Sequence, residues 1–329
     1  MAAQPNTNAT TERYDRFARD YLRHWAPVIE PAGIRLLEAA AGPIAAAIAH
    51  ARAAGRQALL LDVGTGTGPL ARAAVRRWPE LEVAGLDASA GMLAVAEELS
   101  RELLTADQRA RVRWLQADAE ATGLASDTVD IALSAFVLQL VPDRSAALRE
   151  LLRVLRPDGI LGYVTWLAPA GESPPFAPSE AFDEAVLDLE VEEPEPEDDL
   201  RAGDLVSVGA AAAQLRRAGF RAVRATQEAL LHHWQRDEYL AYKLYDEGEL
   251  LAILDAAQRV RLEEEARRRI AALPDAALDW RAPLVQAWGR KPALAAAPAP
   301  PVAPVQAPAA PVSAAGSRRR AGRARRRRA

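Results

Sequence analysis

The 329-residue chain carries 41 basic and 45 acidic residues, a formal charge of −4, and half of its residues are apolar. It has no cysteine, which excludes disulfides, thiolate zinc sites and thiol nucleophiles, and no apolar run approaches the roughly 18–20 residues of a membrane span. Such a length suits one large α/β domain with additions; the opening residues, with Glu12, Asp15 and Asp20, lack a secretory apolar stretch, so a cytoplasmic location is expected.

Tyr14, Phe17, Tyr21 and Trp25 recur at offsets of three, four and four, which predicts a helix with four rings on one face and Glu12, Arg16 and Asp20 facing away. A second, Ala-rich helix is expected over about Ile34–Ala54. Residues 58–63, Ala-Leu-Leu-Leu-Asp-Val, read as a strand buried on both faces, and they run into Asp62-x-Gly64-x-Gly66-x-Gly68. Glycines at alternate positions let the backbone turn sharply and approach a ligand with no Cβ in the way. A helix follows at once, near Pro69. A dinucleotide fingerprint counted from Gly64 and Gly66 requires its third glycine where Pro69 stands, which argues against a nicotinamide cofactor. Residues 81–87 form a second short strand ending in Asp87, 23 residues after Gly64, where a carboxylate can accept hydrogen bonds from both ribose hydroxyls.

Three further segments follow in order: Val112–Glu120, a strand closed by Asp118; Asp127–Ser134, another strand; and Leu148–Leu161, a helix, the turn Pro157-Asp158-Gly159 and a fifth strand running to Trp166. With the glycine motif and Asp87, this series over about a hundred residues resembles the class I S-adenosylmethionine-dependent methyltransferases. The resemblance implies an α/β fold with a seven-stranded Rossmann-like sheet of order 3-2-1-4-5-7-6, the last strand antiparallel and helices on both faces. It also implies S-adenosyl-L-methionine as cofactor, with Asp62, Gly64, Thr65, Gly66, Gly68, Asp87, Ala88, Met92, Asp118, Ala119, Ser134 and Ala135 around it. Asp118 would meet the adenine amino group and the Ala119 amide the ring. Each position also has a plainer reading: Asp62 as a turn former, Met92 as core filler, and Gly159 as the residue that tolerates the turn. In the family a helix before the first strand covers the cofactor, so residues 1–55 are expected to form a helical lid; the plainer reading of its aromatic stripe is packing on the sheet domain, and both hold where Tyr14 or Trp25 touches ligand while the rest anchors.

The expected domain spans 56–291, with insertions at 168–205 and 236–275. The first insertion includes the acidic run 190–199 and is well placed to border an acceptor site beyond the strand ends. Ser207 and Gly219 are the expected caps of a helix Val208–Ala218, after which Phe220–Thr226 reads as a strand. The second insertion is mostly helical over about Asp237–Ala272, and Pro283–Arg290 is the expected last strand. Residues 292–329 are Pro/Ala-rich and end in a basic tip, Arg318–Arg328. Its eight arginines leave 33 basic against 45 acidic residues in 1–291, a net −12. Such a tip can bind nucleic acid, fold back on the acidic insertion or aid solubility.

Methyl transfer from a sulfonium needs an aligned acceptor and excluded water, with no metal. The segment 134–143, S-x-x-x-L-Q-x-V-x-D, lacks the N/D-P-P-Y/F motif of base-amino methylases and resembles small-molecule methyltransferases, so a small-molecule acceptor is expected. Gln139, His24 and His233 are the candidate groups to orient the acceptor or take its proton. Asp143 reads as a helix N-cap. The rival classes are a nucleic-acid-associated enzyme using the arginine tip and a nicotinamide oxidoreductase.

Overall fold

The computed structural model describes residues 9–168, 175–189, 191 and 202–293. The acidic run 190–199, apart from Val191, and the Arg318–Arg328 tip lie outside them. Three helices open the chain: α1 (Ala9–His24), α2 (Ala26–Ala39) and α3 (Ala41–Ala53). The single helix expected over Ile34–Ala54 is therefore two, bent by 50° at Ala40. Pro43, which lacks an N–H, falls in the first turn of α3, where a helix needs no donor from it. No single helix among the described residues is long and apolar enough to cross a membrane.

The chain then alternates as β1 (Ala58–Val63), α4 (Pro69–Arg77), β2 (Leu81–Asp87), α5 (Ala90–Leu103), α6 (Ala106–Arg109), β3 (Val112–Gln116), β4 (Val129–Ala135), α7 (Arg144–Val154) and β5 (Leu155–Trp166). It continues through α8 (Ala177–Leu187), α9 (Val208–Ala218), β6 (Arg221–His233), α10 (Arg236–Asp246), α11 (Gly248–Ile253), α12 (Ala256–Ala272) and β7 (Asp279–Arg290). The seven strands form one sheet of order β3-β2-β1-β4-β5-β7-β6, in which β7 runs antiparallel to β5 and β6. Alternation along the strands divides the core. Leu60, Ile131, Leu133 and Val164 pack with α2, α3 and α4 on one face, while Leu59, Leu61, Ala132 and Tyr163 pack with α7 and α9 on the other.

The α9 caps are Ser207, whose hydroxyl accepts from the Ala210 amide, and Gly219 at φ 108°. Several boundaries differ from expectation. Strand β6 continues past Thr226 to His233 because residues 229–233 pair with Pro283–Asp279, which also starts β7 earlier than Pro283. Strand β5 starts at Leu155, ahead of the Pro157-Asp158-Gly159 turn, and the left-handed residue of that turn is Asp158, φ 66°, rather than Gly159. Gly159 is required for space, since a Cβ there would lie 2.8 Å from the Arg156 carbonyl oxygen.

A buried ion pair braces the end of the sheet opposite the glycine turn. Asp130, 7% exposed, accepts from Arg56 Nη1 and Nη2 at 2.7 and 2.6 Å and from the Leu59 amide at 2.9 Å. Arg56→Met is expected to destabilise the domain by about 2–3 kcal/mol, because it leaves a desolvated carboxylate short of a partner. Urea unfolding monitored by circular dichroism measures this, and an unchanged midpoint refutes it.

Candidate cofactor site

Two adjoining cavities open beyond the carboxyl ends of β1, β2 and β4, on either side of the strand-order reversal between β1 and β4. Tyr21, Gly64, Gly66, Ala135 and Phe136 line both, and so mark their junction.

Asp87, Ala88, Met92, Asp118 and Ala119 line the first cavity. Asp87 ends β2 and also organises the glycine turn: its Oδ2 accepts from the Gly66 amide at 2.7 Å and its Oδ1 from the Ser89 amide at 2.9 Å. Ser89 in turn caps α5 by accepting from the Met92 amide, which sets Met92 against the cavity. Burial pushes the Asp87 carboxyl up to about 6; the Ser89 and Gly66 amides oppose the shift and the nearby Asp15 adds to it.

The three glycines of the turn differ. All have positive φ, at 65°, 54° and 80° for Gly64, Gly66 and Gly68. A Cβ on Gly64 would overlap the Val137 side chain, and one on Gly68 would lie 2.6 Å from the Trp114 ring. A Cβ on Gly66 would meet nothing within 4 Å. Gly66 therefore faces open cavity, whereas Gly68, which lines neither cavity, serves packing at the start of α4.

Asp62 and Thr65 line the second cavity. Asp62 is 2% exposed and its Oδ2 accepts from Thr65 Oγ1 at 2.6 Å. Burial pushes its carboxyl up to about 7, against the pull of the Thr65 hydroxyl and the Ala71 amide. This is the turn-forming role weighed for it. Both Asp62 and Asp87 bind their proton more tightly in the folded chain than at the ordinary value of 3.8. The stability they contribute is therefore complete below that value and is lost as pH rises through about 6 and 7. Thermal unfolding between pH 5 and 8 is expected to show a shallower decline for Asp62→Asn than for the parent chain, by up to about 1.4 kcal/mol per pH unit. Identical slopes refute the assignment.

Several expected site residues do not reach the cavities. Ser134 is buried and its hydroxyl has no partner among the described residues. Gln139 is committed internally: its amide nitrogen donates to the Phe136 carbonyl at 2.7 Å and its oxygen accepts from Thr165 Oγ1 at 2.5 Å. It braces the loop after β4 and lines neither cavity. His24 stacks on Tyr245, and His233 pairs with Asp279 at 2.8 Å at the far end of β6. Asp143 caps α7.

The aromatic stripe of α1 splits where Phe17 leaves helical geometry, at φ −112° and ψ 19°. Tyr14 and Tyr21 pack edge-to-face at 5.7 Å and line the first cavity with Thr10 and Thr11. Trp25 turns away from the cavities and stacks on Tyr242 at 4.9 Å. Sequence reasoning missed Tyr21 as a lining residue, Phe136 at φ 58°, and Glu30 on α2. Phe136 lay within a segment of interest; Glu30 carried no local signal.

This sheet, with a glycine turn, Asp87 at the end of β2 and Asp118 just beyond β3 around one cavity, is a Rossmann-like α/β domain. Residues 61–162 match the family described as a methyltransferase domain. Over that stretch the chain is similar to S-adenosylmethionine-dependent methyltransferases of class I. It is 38% identical over 104 residues to a trans-aconitate 2-methyltransferase of Azoarcus sp. (strain BH72), covering 32% of this chain and 37% of that protein. It is 41% identical over 102 residues to the ubiquinone/menaquinone biosynthesis C-methyltransferase UbiE of Syntrophotalea carbinolica, covering 31% of this chain and 41% of the relative. The match thus spans well under half the length of these relatives. The crystal structure of the [4+2]-cyclase SpnF superposes with a TM-score of 0.52 at 19% identity, covering 89% of this chain and 98% of that one, which shows the fold alone.

Proposed function

We propose that the chain transfers the methyl group of S-adenosylmethionine to a small-molecule acceptor. The charge of the joined cavities carries this reading. Asp87, Asp118, Glu120, Asp62 and Glu30 line them, and no lysine, arginine or histidine is among the described lining residues. A donor with a sulfonium, an ammonium and one carboxylate is net cationic and is attracted, whereas the diphosphate of a nicotinamide dinucleotide is repelled.

The bound donor supplies an electrophilic methyl, open to direct displacement. The chain's own residues bind and orient. Ionised Asp87 accepts from the ribose hydroxyls, and Asp118 with the Ala119 amide holds the adenine edge. Gly66 keeps the floor of the cavity clear. Helix α1 acts as a lid through Thr10, Thr11 and Tyr14, while Tyr21 and Phe136 at the junction exclude water from the reacting centre. The acceptor enters beside Phe136, whose ring lies 4.6 Å from Trp166. Support for a small acceptor comes from the relatives, whose names describe methylation of trans-aconitate and a step of quinone biosynthesis.

The test is incubation of the full chain with isotopically labelled donor and a metabolite extract, followed by mass spectrometry. One metabolite gaining a labelled methyl with the parent chain, and none with Asp87→Ala, is the expected result. Binding of NADH with no binding of the methyl donor overturns the proposal.

A further inference from the structure

Helix α2 presents Ala26, Ile29, Glu30, Gly33 and Ile34 to the second cavity, the i, i+3, i+4, i+7, i+8 spacing of one helical face. The helix is anchored there at close range, since a Cβ on Gly33 would stand 3.4 Å from the Ala135 Cβ at the end of β4. Glu30 lies about one turn from that contact. It makes no hydrogen bond or ion pair among the described residues, although its charge acts on buried Arg72 and on Tyr21. The cavity's other carboxyl, Asp62, is already engaged by the Thr65 hydroxyl. Glu30, an exposed residue that lines this cavity, thus has both carboxylate oxygens uncommitted, whereas Asp62 Oδ2 is bonded to Thr65.

The proposed function places adenosine in the first cavity, on Asp87 and Asp118. The rest of the donor must then run past the junction at Gly64 and Gly66 into the second, where its amino-acid end arrives. We propose that Glu30 is the counter-ion of the donor's α-ammonium group, and that it thereby positions the amino-acid end and selects ligands that carry it. The pairing is a charge-assisted hydrogen bond from ammonium to carboxylate, strengthened as donor and α1 exclude water from the cavity.

This inference rests on the methyl-donor reading, and the experiment separates the two. Calorimetry on the full chain compares S-adenosylhomocysteine with 5′-methylthioadenosine, a nucleoside thioether without the amino-acid end. The parent chain is expected to prefer S-adenosylhomocysteine at least tenfold. In Glu30→Gln that preference shrinks fivefold or more while affinity for 5′-methylthioadenosine stays within twofold, and Glu30→Asp restores part of it. A preference within twofold of the parent's in Glu30→Gln, or equal weakening of both ligands, overturns the role of Glu30 and leaves the donor reading standing. Failure of the parent chain to bind either ligand overturns both.

Discussion

Asp87→Ala is expected to weaken donor binding at least about 100-fold while the domain still unfolds cooperatively. Hydrogen bonds from hydroxyls to a charged acceptor contribute roughly 1.5–3 kcal/mol each, and removing two of them corresponds to two or more factors of ten. The same substitution frees the amides of Gly66 and Ser89, which Asp87 holds at 2.7 and 2.9 Å, so the glycine turn loosens as well. Asp87→Asn retains one acceptor oxygen and is expected to lose about tenfold. Because burial pushes the Asp87 carboxyl up to about 6, its ionised form is depleted as pH falls through that value. Donor affinity should fall in step for the parent chain and stay flat for Asp87→Asn. Calorimetry of the three proteins from pH 5 to 8 checks this, and near-normal affinity in Asp87→Ala would remove the carboxylate from the site.

Gly66→Val is expected to abolish measurable donor binding with only moderate loss of stability. The added Cβ enters open cavity and meets no protein atom within 4 Å, so the side chain fills space that the ligand needs. The cost to the fold comes from placing a β-branched residue at φ 54°, of order 1–3 kcal/mol. At Gly64 or Gly68 the same change forces Val137 or the Trp114 ring to move, and the expected result is disruption of packing. Donor titration combined with thermal unfolding of the three valine variants separates blocking from misfolding. Donor binding by Gly66→Val at parental affinity refutes the open-floor assignment.

The partners of Gln139 and the two histidines were hidden from the sequence for a tertiary reason. Gln139 looked available because its neighbours in the chain are apolar, but its partner is Thr165, 26 residues away on β5. His233 gained Asp279 only when β6 paired with β7, and His24 gained Tyr245 only when α10 packed on α1. The helix break at Ala40, by contrast, lies just ahead of Pro43, a local signal that the apolar pattern masked.

The sequence by itself determined where the first five strands run along the chain and which acids follow β2 and β3, because strand burial, glycine spacing and carboxylates near strand ends are local patterns of a few residues. It also determined which caps bound α9. Tertiary structure alone decided which glycine faces the ligand and which face packing, that Tyr21 and Phe136 meet at one junction, and that Glu30 looks into the cavity of a glycine turn more than thirty residues downstream. Those relations depend on how α1 and α2 lie across the ends of the sheet, a matter of side-chain packing between distant segments that no spacing within the chain encodes.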